Sequence, residues 1–197
     1  MGRASRVDAA KHREDVVNAM ARLLRERGPA GVSVQDLMLA VGLTHGGFYK
    51  HFSSKDELVG IATEAAFDEI RAALTRIGED EPDRTRARSE VIRTYLSAEH
   101  RDAPGTGCAN TALAGDAARS PADSPLRGSY VAGLEDTLEQ LAKLEHAPSH
   151  GSEEPYRRAV ADLATMVGAL TLARATSRTP LSDQILQIVR EALDPGR

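Results

Sequence analysis

The 197-residue sequence contains one cysteine, no tryptophan and only 4% aromatic residues. A single cysteine excludes an intramolecular disulfide framework and a cysteine-cluster metal site. Few aromatics combined with many Ala and Leu residues favour helices over sheets. No apolar run approaches the roughly 20 residues that span a bilayer, and no charged-then-apolar leader opens the chain. The expectation is a soluble, cytoplasmic protein without a membrane partner. Positive charge is also in short supply, with a net charge of −4. That total argues against a nucleic-acid partner until its distribution is considered. Residues 1–58 carry nine Lys and Arg against seven Asp and Glu, and the remainder sixteen against twenty-two. Arg3, Arg6, Lys11 and Arg13 form the most basic part, a tail that could reach phosphates.

The hydrophobic content, 41%, is enough to bury a core. An amphipathic helix is expected from about Asp8 to Arg27, with Val16, Val17, Met20, Leu23 and Leu24 recurring at three- and four-residue spacing. Next comes the densest local signal in the chain. Ser33 can cap a helix to about Val41, and Asp36 suits its positive end. Gly42 then permits a left-handed turn. Thr44 is placed to cap a second helix to about Phe52, and Ser54-Lys55-Asp56-Glu57 is a capping box that opens a third. A helix, a short glycine-containing turn and a second helix make a helix-turn-helix unit.

The middle helix is unusual because Gly46 and Gly47 fall in its first turn, where each costs about 1 kcal/mol relative to Ala in a helix interior. Missing side chains allow a close approach to another surface. Tyr49, Lys50, His51 and Lys55 follow as donors suited to phosphate oxygens, while Phe48 and Phe52, four apart, fall on a core-facing side. The run Thr44-His45-Gly46-Gly47-Phe48-Tyr49-Lys50-His51-Phe52-Ser53-Ser54-Lys55-Asp56-Glu57-Leu58 resembles the signature of the TetR/AcrR-family transcriptional regulators. It departs from the usual pattern by Leu43-Thr44 for Val-Ser, Phe48 for Leu, and Leu37-Met38 for Ile-Ala. The resemblance implies an all-α protein: an N-terminal three-helix DNA-binding domain, residues 1–58, and a C-terminal helical ligand-binding and dimerisation domain, residues 59–197. It implies that the helix from Thr44 to Phe52 enters the major groove of a double-stranded operator. His45, Gly46 and Gly47 would then lie nearest base edges, with Thr44, Tyr49, Lys50, His51 and Lys55 on phosphates. A dimer would require a roughly palindromic operator.

The helix opening at Ser54 is expected to reach about Ile77, roughly 35 Å and long enough to connect two domains. An acidic break follows over Gly78 to Arg84, then a helix from about Thr85 to Ala98 and a loop from His100 to Gly107. Cys108 opens the next helix, to about Arg119, and another runs to about Leu144, followed by a polar loop from Ala147 to Glu154. Two helices close the chain, 155–177 and 182–193. The first is small and apolar nearly all round, so it should be buried on more than one side. Met166-Val167-Gly168-Ala169-Leu170 and Pro180-Leu181-Ser182-Asp183 resemble the last two helices of the same family. That resemblance implies a homodimer held by a four-helix bundle from these two helices of each subunit.

Helices of the second region would surround a cavity to which Tyr95, His100, Cys108, Thr111, Tyr130, Leu134, Met166 and Leu170 contribute, suited to a small, largely apolar effector of unknown identity. Most of these residues also read as plain core. Cys108 sits at a helix start after Gly105-Thr106-Gly107 with His100 and Arg101 near in sequence, a setting that suits a reactive, sensing thiol. The alternative is a small buried hydrophobe. No enzyme is expected, because a Cys108–His100 pair has no third orienting residue. His45 and His51 are six apart on different helix faces, which does not make a zinc pair. No metal or cofactor is expected. Release by the effector or by modification of Cys108, and repression rather than activation, follow the family's habit. A DNA-binding architectural protein without an effector is the remaining alternative, disfavoured by the size of the second region.

Overall fold

The computed structural model describes residues 2–145 and 153–194, with side chains from residue 8 onward. The Arg3 and Arg6 side chains, and most of the expected 147–154 loop, therefore lie outside the described residues. The described residues form ten α-helices and one 3₁₀ turn joined by short connections, and no strand occurs among them. The helices are α1 (Gly2–Arg27), α2 (Val34–Ala40), α3 (His45–Phe48), α4 (Lys55–Asp80) and α5 (Arg84–Tyr95). They continue with α6 (Ala98–Asp102), α7 (Ala109–Arg119), α8 (Pro125–Leu144), α9 (Glu154–Ala175) and α10 (Pro180–Leu193), the 3₁₀ turn Pro104–Thr106 lying between α6 and α7.

Local chemistry sets the boundaries. Ser33 Oγ accepts from the Asp36 N–H at 3.0 Å, and Ser54 Oγ from the Glu57 N–H at 3.0 Å, which starts α2 and α4. Gly28 and Gly42 hold φ of 68° and 71°, the left-handed conformation that ends α1 and α2. Four expectations shift. Thr44 stands at the start of α3 but makes no side-chain capping bond. α3 is a single turn rather than a helix to Phe52, because Lys50 and His51 bond back to Gly47 and Phe48 in tighter i to i−3 fashion. The Glu57 carboxylate accepts from the N–H and hydroxyl of Ser53, both at 2.6 Å, one residue before the cap itself. α4 continues to Asp80, so the acidic break shrinks to Glu81–Asp83.

The expected loop from His100 to Gly107 is also ordered. Ser97 Oγ accepts from the His100 N–H at 3.1 Å and starts α6, and Pro104 starts the 3₁₀ turn. Cys108 is then the N-cap of α7, as expected, without a side-chain capping bond.

Two cores share α4 and α8. The front core gathers Val16, Met20, Leu24, Leu37, Phe48, Phe52 and Leu58 with Phe67 of α4 and Ala109, Leu113 and Leu126 of α7 and α8. It therefore does not stop at residue 58. The rear core joins Leu74, Ile92, Leu96, Leu138, Leu163, Met166, Leu170 and Leu186. Close packing of α4 on α8 depends on absent side chains: a Cβ at Gly60 would sit 2.8 Å from Pro125 Cβ, and one at Gly133 would intrude on the Phe67 ring. At the far end, Arg88 bonds Glu145, Asp162 and the Leu193 carbonyl, tying α5 to the end of α8, to α9 and to α10.

α9 differs from its expectation in the single chain. Ala159, Leu163, Met166, Leu170 and Ala173 face α8 and α10, whereas Val160, Ala164, Gly168 and Leu172 on the opposite side face solvent. Leu181 and Ile188 of α10 are exposed as well.

Candidate nucleic-acid interface and buried cavity

Phe48 and Phe52 are buried with ring centroids 5.4 Å apart, and Arg13 from α1 lies over the outer face of Phe52 at 5.1 Å. These anchors turn the other side of α3 outward. Thr44, His45, Gly46, Tyr49 and Lys50 are exposed, and Gly47 and His51 are half-buried. Tyr49 is 63% exposed, its ring braced edge-on by Phe48 at 5.1 Å and by His45 at 6.0 Å. A Cβ on Gly46 would meet nothing within 4 Å, and its φ does not demand glycine. The protein's own packing does not require a glycine there.

Lys55 is placed differently from a free phosphate donor. Its Nζ donates to the Pro29 carbonyl at 2.6 Å, clamping the start of α4 to the α1–α2 connection. The surface also holds residues that sequence reasoning passed over. Gln35, Leu39 and Leu43 border a shallow depression with His45, and Leu39 is 77% exposed. An exposed leucine four residues after Gln35 carries no sequence signal of its own role.

The second feature is a cavity of about 460 Å³ between α4, α5, the 3₁₀ turn and the end of α1, within the size range of small-molecule sites. Ile70, Leu74, Ile77 and Val91 give it an apolar wall. Arg25, Glu69, Tyr95, His100 and Cys108 form its polar end. Tyr95, His100 and Cys108 were expected there. Thr111 touches Tyr95 from behind, hydroxyl to hydroxyl at 2.7 Å, and Tyr130 donates to the Asn110 carbonyl at 3.2 Å. Neither of these lines the cavity, and Leu134, Met166 and Leu170 pack in or against the rear core instead. Helical periodicity identifies the inward face but not which inward residues leave space between them.

The polar end is tightly bonded. His100 Nε2 accepts the Cys108 backbone N–H at 3.0 Å, so Nδ1 carries the ring proton and donates it to the Tyr95 carbonyl at 2.8 Å. Burial lowers the pKa of His100 below its ordinary 6.5, and burial followed by the nearby Cys108 raises that of Tyr95. Asn110 Nδ2 donates to Cys108 Sγ at 3.5 Å, and Arg174 holds the His100 and Arg101 carbonyls. His100 thus spends its accepting nitrogen on a backbone amide rather than on the thiol, which removes the base a Cys–His nucleophile would use. Among the described residues there is no group of three His, Cys, Asp or Glu that could hold a metal, and no helix long and apolar enough to cross a membrane.

Residues 16–60 match the family model described as bacterial regulatory proteins, tetR family. The chain is similar to the HTH-type transcriptional repressor Rv3405c of Mycobacterium tuberculosis, 37% identical over 62 residues, or 32% of this chain and 31% of that protein. That match spans about a third of the relative's length. It is also similar to the HTH-type transcriptional repressor DhaR of Mycobacterium sp. strain GP1, 29% identical over 194 residues and covering 93% of each chain. Among solved structures, a TetR transcriptional regulator from Chloroflexus aurantiacus superimposes with a TM-score of 0.78 at 24% identity, over 95% of this chain and 94% of that one.

Proposed function

We propose that the chain is a TetR-family DNA-binding transcriptional regulator rather than an enzyme, a homodimeric repressor of a palindromic operator released by a small apolar effector or by modification of Cys108, a reading supported by the family match over residues 16–60 and the full-length similarity to a transcriptional repressor. The observation that carries the DNA reading is the outer face of α3. It exposes Thr44, His45, Tyr49 and Lys50 around a Gly46 that the protein's own packing does not require. In this reading α3 lies in the major groove, His45, Gly46 and Gly47 approach base edges, and Thr44, Tyr49, Lys50 and His51 hold phosphates. Lys55 joins them only by giving up its bond to Pro29. The reading unit is the region to residue 58, and the remainder of the chain carries the partner and, with Arg25 of α1, the effector cavity.

The solvent-facing side of α9 and α10 supports dimerisation. Leu172 is 58% exposed, Val160 of the same helix and Leu181 and Ile188 of α10 are exposed as well, and a Cβ at Gly168 would meet nothing within 4 Å, leaving room for a second helix. Such an apolar face is of the kind that pairs. Leu172→Glu is expected to give a monomer in sedimentation and to lose operator binding; a dimeric Leu172→Glu protein would move the interface elsewhere.

Release follows from the cavity's position between α4 and the segment around Cys108, because α4 begins directly after the DNA-reading helix. An occupant that shifts α4 changes the spacing of the two α3 helices. Moving such an equilibrium from 1:99 to 99:1 takes about 5.5 kcal/mol of differential binding. Fluorescence anisotropy of the dimer on duplex from upstream of its own gene, titrated with salt and competitor, tests the whole reading. Cys108→Ser is expected to bind that duplex normally and to resist release by thiol reagents. Retained release would remove Cys108 from the mechanism.

A further inference from the structure

The polar end of the cavity holds a cation that cannot leave and an anion that can. Arg25, in the last turn of α1, has a side chain only 3% exposed, and its guanidinium donates to Glu69 of α4 at 2.6 and 3.2 Å. One of these nitrogens also lies 3.4 Å from the Gly107 carbonyl. The third, Nε, is buried and has no acceptor among the described residues. Glu69, by contrast, is 50% exposed. If the pair separates, Glu69 regains water at once, whereas Arg25 stays inside and needs another anion. A cationic solute would pair with Glu69 but strand Arg25, and a neutral one would leave the pair intact.

We propose that the cavity is a site for small amphipathic monocarboxylates, whose carboxylate replaces Glu69 on Arg25 while the hydrocarbon body lies along Ile70, Leu74, Ile77 and Val91. The proposal rests on the reading of the cavity as the effector site and names the chemical class that site takes. Two carboxylate oxygens match the planar fork of a guanidinium, the arrangement in which Glu69 already meets the two terminal nitrogens of Arg25. Glu99, on the cavity wall and exposed, disfavours a second negative charge on the ligand. The exchange cuts the side-chain tie between α1, which braces the DNA-reading unit, and α4, which leads out of it. Ligand identity is thereby coupled to the two-state change.

Calorimetry of the full-length protein with octanoate and with octanol tests this, using the wild type, Glu69→Gln, Arg25→Gln and Ala73→Phe, the last filling the cavity wall. Octanoate is expected to bind about tenfold or more tighter than octanol, consistent with a charge-assisted pair. Glu69→Gln is expected to tighten octanoate and leave octanol unchanged, because the internal competitor is gone. Arg25→Gln should level the two ligands, and should it fail to fold, Glu69→Gln carries the same test from a half-exposed position. Ala73→Phe should abolish binding of both.

Equal affinity for the two ligands in the wild type overturns the carboxylate proposal and leaves the cavity as an effector site for neutral molecules. Weaker octanoate binding in Glu69→Gln, or undiminished octanoate binding in Ala73→Phe, also overturns it. Binding of neither ligand overturns both this proposal and the reading of the cavity on which it rests.

Discussion

The protein places a tyrosine beside a histidine twice, to opposite effect. At the surface, Tyr49 meets His45 edge-on at 6.0 Å, both exposed. Inside, Tyr95 meets His100 edge-on at 4.8 Å; His100 bonds the Tyr95 carbonyl and accepts the Cys108 amide, while the Tyr95 hydroxyl bonds Thr111. The first pair is free to engage something that is not protein. The second is already committed, and its job is to hold the cavity's polar end in one arrangement. Environment rather than residue type separates an open surface pair from a scaffold that shapes a pocket.

Substitutions can break this contrast. The largest effect is expected for Gly46→Leu, which fills space that is open in the protein and that the proposed reading gives to DNA. Operator affinity should fall on the order of 100-fold or more, while helix propensity raises stability by up to ~1 kcal/mol. Anisotropy and urea denaturation on one preparation read both; unchanged operator binding would mean that no surface approaches Gly46. His100→Ala should do the reverse, costing about 2–4 kcal/mol of stability by orphaning the Cys108 N–H and the Tyr95 carbonyl, with normal operator affinity in the folded fraction.

Lys50→Ala is a smaller perturbation on the exposed side. It should weaken all duplexes about equally and lower the salt slope of binding by about 1 for each phosphate no longer neutralised, with no change in stability. The smallest effect is electrostatic. Burial lowers the His100 pKa below 6.5, so just beneath that pH the unfolded chain takes up a proton that the folded one refuses. Stability should fall as pH drops below about 6.5, and His100→Gln should flatten that part of the curve. The Glu57 carboxyl, held below its ordinary 4.5 by Ser53, acts in a separate and more acidic window, its contribution vanishing as pH falls through its folded value. A stability curve flat between neutrality and the carboxylate range would remove His100 as a buried neutral base.

Much of the exposed side was legible in the sequence because its determinants are local. Ser33, Gly42 and Ser54 act on residues no more than four positions away, and capping chemistry names them directly. The exception is Lys55, whose partner Pro29 belongs to an earlier connection and whose bond only the fold brings about. The cavity was legible in part. Tyr95, His100 and Cys108 lie within fourteen consecutive residues, so their association is nearly local. Ile70, Leu74 and Val91 look in sequence like Leu134, Met166 and Leu170. The packing of several helices decides which of them also border space, and Leu74 and Val91 serve the cavity wall and the rear core at once.

Arg25 was missed for a related reason. In the sequence it is a basic residue in the last turn of a surface helix, a place where solvated cations are common. Its burial depends on α4 and the segment before Cys108 closing over it, a long-range event with no local signature. Leu39 is the converse, an apolar residue left exposed because α2 is too short and too peripheral to bury both faces.

The most direct test is selection of the full-length protein on a pool of genomic duplex fragments, sequenced after competition near physiological salt. Enrichment of a two-fold symmetric sequence, with half-sites about one helical turn or a multiple apart, is the predicted result, and Gly46→Leu should lose it. No enrichment over the input pool, even at low salt where phosphate contacts are strongest, would contradict the assignment of α3 as the helix that reads DNA.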